Sequence, residues 1–334
     1  MFKVTGQELA GAEGVLPEDA VIRTEGLTKT FRTRQGGEVV AIDRLDLVVA
    51  RGETFGLIGP DGAGKTTTVR LLAGLLTPTQ GQITILGYNP RRQGHVLKAH
   101  IGYMAQQFGL YGDLTVMENL RFFANVLGAS PKAQATRIPQ LLRFAGLEGF
   151  EGRLGDQLSG GMKKKLALAC MLVHDPEVVF LDEPTLGVDP VSRREFWDLL
   201  AELRTKRGLT IFMCTPYMDE AERCHRVGLI YHGRLVAQGT PREIKRLVPG
   251  QLLDCWPSDF EQAKALSPAL PGVLEVQILG DRLRLFVDDA ALRAPQIKAA
   301  LARHNIVLAD DLRVVQPRME EAFISLIQRQ AFNA

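Results

Sequence analysis

The chain has 334 residues, with 40 Lys and Arg against 38 Asp and Glu, 46% hydrophobic residues and 23% charged ones. At ~150 residues per domain this length points to about two domains, and the composition excludes a disordered, collagen-like or coiled-coil chain. A net charge of +2 is too balanced for nucleic-acid affinity driven by bulk charge, so no nucleic-acid partner is expected.

Residues 1–19 mix Gly, Glu and Pro without periodicity and read as a flexible leader, with no secretory pattern. From 20 to 248 short β-branched runs alternate with helical patterns, the mark of a parallel sheet with crossover helices. Within it, 54–58 and 178–181 read as strands buried on both faces. The spacing predicts helices over 114–127 and 138–147 with no strand between them, so a helical insertion occupies about 100–160. Beyond the break at Val248-Pro249-Gly250 the texture changes. Strands are expected at 252–255, 273–279, 283–287 and 312–315, helices at 260–266, 295–303 and 319–327, and a tight turn at Gly280-Asp281. That order makes 249–334 a small α+β accessory domain of ferredoxin-like character.

No apolar run approaches the ~18 residues a membrane-spanning helix needs, and the lack of a secretory pattern over 1–20 leads us to expect the cytosol as compartment. Cys170, Cys214, Cys224 and Cys255 lack paired spacing and are expected to be reduced thiols.

The segment Gly59-Pro60-Asp61-Gly62-Ala63-Gly64-Lys65-Thr66 fits GxxxxGK[ST], follows a strand and opens a helical run from Thr67. Glycines let backbone N–H groups wrap a polyphosphate, and the following helix points its positive end at the anion. Lys65 is placed to reach the β- and γ-phosphates and the Thr66 hydroxyl to ligate Mg²⁺, while Asp61, an acid unwelcome beside phosphates unless it caps the loop or faces solvent, reads as structural to the loop. Val178-Val179-Phe180-Leu181-Asp182-Glu183 is a buried strand ending in two acids. It sets Asp182 where a phosphate-bound Mg²⁺ lies and Glu183 where an attacking water is oriented or deprotonated.

Taken with these, Leu158-Ser159-Gly160-Gly161-Met162 resembles the signature motif of ATP-binding-cassette (ABC) ATPases. Gln106, in Ile101-Gly102-Tyr103-Met104-Ala105-Gln106, is similar to the family's Q-loop, and Gly187-Val188-Asp189-Pro190 to its D-loop. The resemblance covers roughly 21–248 and implies a phosphate-loop NTPase (RecA-like) α/β core with antiparallel β and helical subdomains. It also implies ATP and Mg²⁺ as ligands, with residues 59–67 and Asp182 holding nucleotide and Phe31 stacking on adenine. Thr66, Gln106 and Asp182 are then the implied Mg²⁺ ligands, and Glu183, Gln106 and Lys65 the residues of hydrolysis. Two cassettes pair head to tail in this family, so Ser159, Gly160 and Gly161 serve the nucleotide of a partner. Their position before an apolar helical run suits an anion site.

One departure stands out. Where the family has a switch histidine this chain reads Cys214-Thr215-Pro216-Tyr217. Proline offers neither a side-chain donor nor a backbone N–H, so the site is expected to turn over slowly and a heterodimer with a second ABC ATPase is favoured over a homodimer. His225 would substitute only by rearrangement. Lys163-Lys164-Lys165, Arg91-Arg92 and Arg193-Arg194 read as solvated faces.

The segment Phe108-Gly109-Leu110-Tyr111 and the helix after it resemble the region with which exporter cassettes receive a membrane subunit, with local core as the competing reading. Val315-Gln316-Pro317-Arg318-Met319-Glu320-Glu321-Ala322-Phe323 resembles the tail of drug- and lipid-exporter cassettes of the ABC-2 class. The resemblance thus implies an exporter ATPase, peripheral on the inner face of the membrane and bound to separate permease subunits. The alternatives are a soluble ABC ATPase acting on ribosome or DNA, disfavoured by the single cassette and lack of heptads, and a regulatory nucleotide-binding module.

Overall fold

Two long strands, β1 (Ala20–Arg32) and β2 (Glu38–Ala50), bury Ile22, Ile42, Leu45, Leu47 and Val49 and turn charged neighbours outward, the alternation of a sheet with one dry face. The computed structural model describes residues 19–33, 36–107 and 109–333, so the leader read over 1–19 lies, apart from Asp19, outside the described residues. There follow β3 (Thr54–Ile58), α1 (Lys65–Leu72), β4 (Gln80–Ile85), α2 (Pro90–Leu97) and β5 (Ile101–Met104). Next come α3 (Val116–Val126), α4 (Pro131–Ala145), α5 (Gly160–Leu172), β6 (Val178–Asp182), α6 (Pro190–Arg207), β7 (Thr210–Thr215), α7 (Met218–Ala221), β8 (Arg226–Tyr231) and β9 (Arg234–Gly239).

β1, β2 and β4 form an antiparallel sheet in the order β2-β1-β4, and a second, six-stranded sheet runs β5-β6-β7-β3-β8-β9. Its first five strands pair in parallel. Every residue of β3, β6 and β7 is buried, as strands covered on both faces must be. Between β5 and β6 stand only helices, as expected. α3 starts under a capping box made by Thr115 and Glu118. α4 begins at Pro131, not 138, because Ser130 caps it by accepting from the N–H of Ala133 and Pro131 fits the first helical position.

The chain divides into two compact units between Gln238 and Gly239. The sequence break at Val248-Pro249-Gly250 falls further on, and α8 (Pro241–Arg246) belongs to the second unit, where it packs against the last helix with Ile244 fully buried. The second unit continues with β10 (Gln251–Cys255), α9 (Phe260–Leu266), β11 (Val273–Leu279), β12 (Arg282–Val287), α10 (Ala290–Arg303), β13 (Arg313–Val315) and α11 (Met319–Asn333). Its sheet is antiparallel in the order β11-β12-β10-β13, the ferredoxin-like arrangement. α10 starts at Ala290 and carries Pro295 inside it, where the sequence reading began the helix at the proline. The Asp289 side chain accepts from the N–H of Leu292, and Ala290, Ala294, Ile297 and Leu301 lie on one stripe against the sheet; together these outweigh the proline's lost hydrogen bond.

The other side of this sheet holds a buried ionic layer. Arg284 pairs with Asp254 at 2.7 Å and also bonds Glu321 of α11, while Arg282 reaches Asp254 at 3.0 Å. All four cysteines are buried and free, in agreement with the expectation of reduced thiols. Among the described residues no helix is long and apolar enough to cross a membrane.

Replacing Arg284 by Leu strands Asp254 and Glu321 as under-compensated buried acids. The second unit is expected to lose about 3–5 kcal/mol, read by hydrogen exchange as earlier opening of residues 239–334 with the first unit unmoved.

Candidate nucleotide site

The loop between β3 and α1 follows the carboxyl end of a central parallel strand, the position where such sheets bind ligands. Gly64 has φ 110°, and a Cβ there would lie 2.6 Å from the carbonyl oxygen of Ala41, so only glycine lets the loop enter α1 at this point. The turn after β8 braces the loop, the Gly233 N–H donating to the Ala63 carbonyl at 2.9 Å. Lys65 opens α1 with its side chain only 3% exposed. Its Nζ donates to the Pro60 carbonyl at 3.0 Å and stands 3.5 Å from Glu183 Oε1 and 3.7 Å from Asp61 Oδ1. The Asp61 side chain is 93% exposed, the solvent-facing arrangement that an acid beside phosphates requires.

Thr66 donates its hydroxyl to Asp182 Oδ1 at 3.0 Å. Burial pushes the Asp182 carboxyl pKa up, against the opposing Thr66 bond and the charges of Arg70 and Lys65. Its Oδ2 is buried and makes no hydrogen bond. An orphaned carboxylate oxygen beside a threonine hydroxyl is an oxygen donor pair of the kind a hard divalent cation takes, so these residues fit Mg²⁺. Gln106, the third expected ligand, is engaged otherwise: its Nε2 donates to Glu183 Oε2 at 3.0 Å.

Glu183 sits at φ 49°, a left-handed backbone that costs a non-glycine residue ~1–3 kcal/mol. Its N–H donates to the Cys214 carbonyl at 2.9 Å, and its own carbonyl closes a turn by accepting from the Leu186 N–H at 3.2 Å. One cleft is lined by Gly62, Gly64, Lys65, Thr66, Thr67, Gln106 and Glu183, with Ala41, Asp61, Leu186 and Pro216 completing it. Pro216 therefore shares one cleft with Lys65, Gln106 and Glu183. His225 accepts from the N–H of Thr54 at 3.2 Å, at the opposite end of β3 from the phosphate loop, which removes it as a substitute.

Phe31 is 39% exposed on β1, opposite Val39 of β2, with Lys29 Nζ 5.0 Å from its ring centroid. It does not line the phosphate cleft, although Ala41 of the same strand pair does. Ser159 caps α5 by accepting from the Met162 N–H at 3.2 Å, and neither it nor Gly160 and Gly161 lines that cleft. Gly161 is required by close packing, since a Cβ would fall 2.3 Å from Ser192 Oγ of α6.

Some charges read as solvated faces are instead bound. Lys163 pairs with Asp156 at 3.2 Å and Lys165 with Glu195 at 2.5 Å. Lys164, its pKa lowered by burial, donates to the Gln106 carbonyl at 3.0 Å and straps the Q-loop to α5. Arg193 packs over the Tyr217 ring and faces Asp219 and Glu220. Alternation along the chain carried no signal for these contacts, because each reaches across to another element.

A parallel sheet with a lysine-bearing glycine loop at its carboxyl edge and two acids on the neighbouring elements defines a phosphate-loop nucleotide-binding protein. A family model for the ABC transporter matches residues 42–186. The probable multidrug ABC transporter ATP-binding protein YbhF of Escherichia coli is 46% identical over 240 residues, covering 72% of this chain and 40% of that protein, so the chain spans well under half of that relative. The Nod factor export ATP-binding protein I of Rhizobium leguminosarum is 35% identical over 309 residues, covering 91% and 94%. Among solved structures, cbiO1 of Clostridium perfringens, part of the ABC transporter complex cbiONQ, matches with a TM-score of 0.62 and 28% identity over 76% of this chain and 97% of that one. The chain belongs to the ATP-binding proteins of the ABC transporter family.

The raised carboxyl pKa of Asp182 means that its protonated form is favoured by folding. The stability it contributes is present at low pH and is lost as pH rises through the folded-state value. Asp182→Asn is therefore expected to raise the unliganded melting temperature by a few degrees near neutral pH, with the gain vanishing below about pH 4. The same change should abolish Mg²⁺-dependent nucleotide hydrolysis; calorimetry against pH and a hydrolysis assay read the two effects.

Proposed function

We propose that this chain is the ATP-binding and ATP-hydrolysing subunit of an exporter, driving transport through separate membrane-spanning permease subunits. The observation that carries the reading is the convergence of Lys65, Thr66, Gln106 and Glu183 on one cleft, with Asp182 bonded to Thr66 behind it. Names of the relatives, multidrug and Nod factor export proteins, favour export.

In this reading Lys65 exchanges its contacts with Pro60 and Glu183 for the β- and γ-phosphates, and the loop N–H groups and the start of α1 hold the anion. Thr66 and Asp182 would hold Mg²⁺, which neutralises phosphate charge when bound. Release from Lys65 leaves the Glu183 carboxylate free to accept a proton from water, with Gln106 orienting it. Phe31 offers its open ring to the base.

The signature residues cap a helix away from this cleft, which supports their service to the nucleotide of a second cassette. ATP then acts as the adhesive of the pair, and closure and opening are the power stroke. Pro216 leaves the cleft without a donor on that side, so the site turns over slowly and a different ATPase partner is favoured over a second copy. The same feature favours a second reading, a regulatory nucleotide-binding module.

Permease docking is assigned to the aromatic cluster of Tyr111, Phe122 and Phe123, of which Tyr111 is 44% and Phe122 37% exposed. Phe108, expected in the same contact, lies outside the described residues. The resulting location is cytoplasmic and peripheral on the membrane's inner face. Integral membrane proteins, with a second ATPase, are expected to co-purify from solubilised membranes; recovery of neither supports the regulatory module, and ribosomes or DNA overturn both.

Pro216→His is expected to raise ATP hydrolysis by the purified chain about tenfold or more; an unchanged rate removes the argument from Pro216. Lys65→Ala and Ser159→Arg should each abolish nucleotide-dependent association with the partner ATPase, measured by light scattering. Normal association in both refutes the shared site.

A further inference from the structure

Behind the nucleotide cleft a single carboxylate joins three segments of the first unit. Glu220, 1% exposed, stands on α7 shortly after Pro216 and Tyr217. Its Oε1 accepts from the Thr185 hydroxyl at 2.5 Å and from Trp197 Nε1 at 3.2 Å, and Arg193 Nε is 4.0 Å from it. Thr185 is itself buried, within the turn that Glu183 opens. Arg193 and Trp197 belong to α6, the helix capped by Asp189. One oxygen thus ties the exit of the Glu183 strand, the start of α6 and the switch segment together, and the D-loop lies between the two ends it holds.

Stability alone does not account for this arrangement. Glu220 Oε2 is buried without a hydrogen bond, and so is Arg193 Nε. A buried carboxylate with one oxygen unsatisfied is poorer for stability than a well-packed apolar side chain of the same volume. What it supplies is geometry. The bonds that hold the turn carrying the left-handed Glu183 include its N–H to Cys214, its carbonyl from Leu186, the Thr185 carbonyl from Val188, and the Thr185 hydroxyl to Glu220. Of these, only the last runs to the segment after Pro216, the residue that faces the cleft with no donor.

We infer that Glu220 is a positioning residue for ATP hydrolysis: by gripping Thr185 it fixes the Glu183 carboxylate between Lys65 and Gln106, and it couples the switch segment to the hydrolysis site where Pro216 cannot. This rests on the ATPase reading above. Arg193, stacked 4.3 Å over Tyr217, closes the circuit from α6 back to the switch segment.

Thr185→Val keeps the side chain's shape and removes the donated proton, while Thr185→Ser keeps the proton. In single-turnover hydrolysis by the full chain, Thr185→Val is expected to lower the rate about 10- to 100-fold with the Kd for Mg·ATP unchanged, and Thr185→Ser to recover most of the loss. Trp197 provides a readout without hydrolysis. The chain has 2 Trp, so in a Trp256→Phe background a saturable emission change on adding Mg·ATP is expected. It should be lost in Thr185→Val and in Glu220→Gln while both still bind Mg·ATP. A normal rate and a normal Trp197 response in Thr185→Val overturn the inference, as does a parallel loss of rate, affinity and melting temperature that Thr185→Ser does not repair. Failure of the unmutated chain to bind Mg·ATP overturns the ATPase reading itself, and this inference with it.

Discussion

An ammonium group and two carboxylates, withdrawn almost wholly from water at the carboxyl edge of one parallel sheet, set the terms for the rest of the first unit. Lys65, Asp182 and Glu183 come from three successive levels of the architecture, a helix start, a strand end and the turn beyond it. With no anion between them they neutralise one another incompletely. Glu183 is shared by Lys65 and Gln106, and Asp182 keeps one oxygen idle. Under the proposed function a polyphosphate with its cation would complete this arrangement, by supplying the charges these buried groups lack as partners.

The surrounding structure serves to keep those three groups from relaxing. β3, β6 and β7 are dry on both faces, so the residues at their ends cannot slide without breaking a packed sheet. The loop enters α1 through a position only glycine can occupy, and the turn after β8 holds it from behind. The helical insertion is wired to the same point through Lys164, which grips the backbone of Gln106, whose side chain in turn touches Glu183. A displacement of α5 therefore has a direct mechanical path to the Glu183 carboxylate.

The second unit solves a different problem. Its sheet is covered by α9 and α10 over an apolar core, while the other side carries Arg284 between Asp254 and Glu321. An ionic layer of this kind adds little net stability, but it makes the seat of α11 specific, because a shifted helix would leave Arg284 facing an unpaired acid.

The motifs of the nucleotide site were legible in the chain because phosphate binding demands residue types at fixed local spacing: glycines that approach a backbone, a lysine at a helix start, acids at the end of an uncharged strand. The strand and helix order of the second unit was readable for a related reason, since its alternations and caps are local. Tertiary structure decided what depends on residues far apart in sequence. Pro295 and Pro139 lie inside helices because Asp289 and Ser130 cap upstream and an apolar stripe finds its sheet or neighbour. His225, which the sequence leaves as a substitute only by rearrangement, is removed by its bond to Thr54 at the far end of the strand. Lys164 and Arg193 read as surface charges along the chain and Glu220 carries no signal there, yet the fold buries or binds each one. Sequence by itself therefore determined the chemistry this protein offers to a phosphate, because that chemistry is set by neighbours a few residues apart. Which charges are held, and by what, was decided by packing, since an ion pair across elements has no periodicity to announce it.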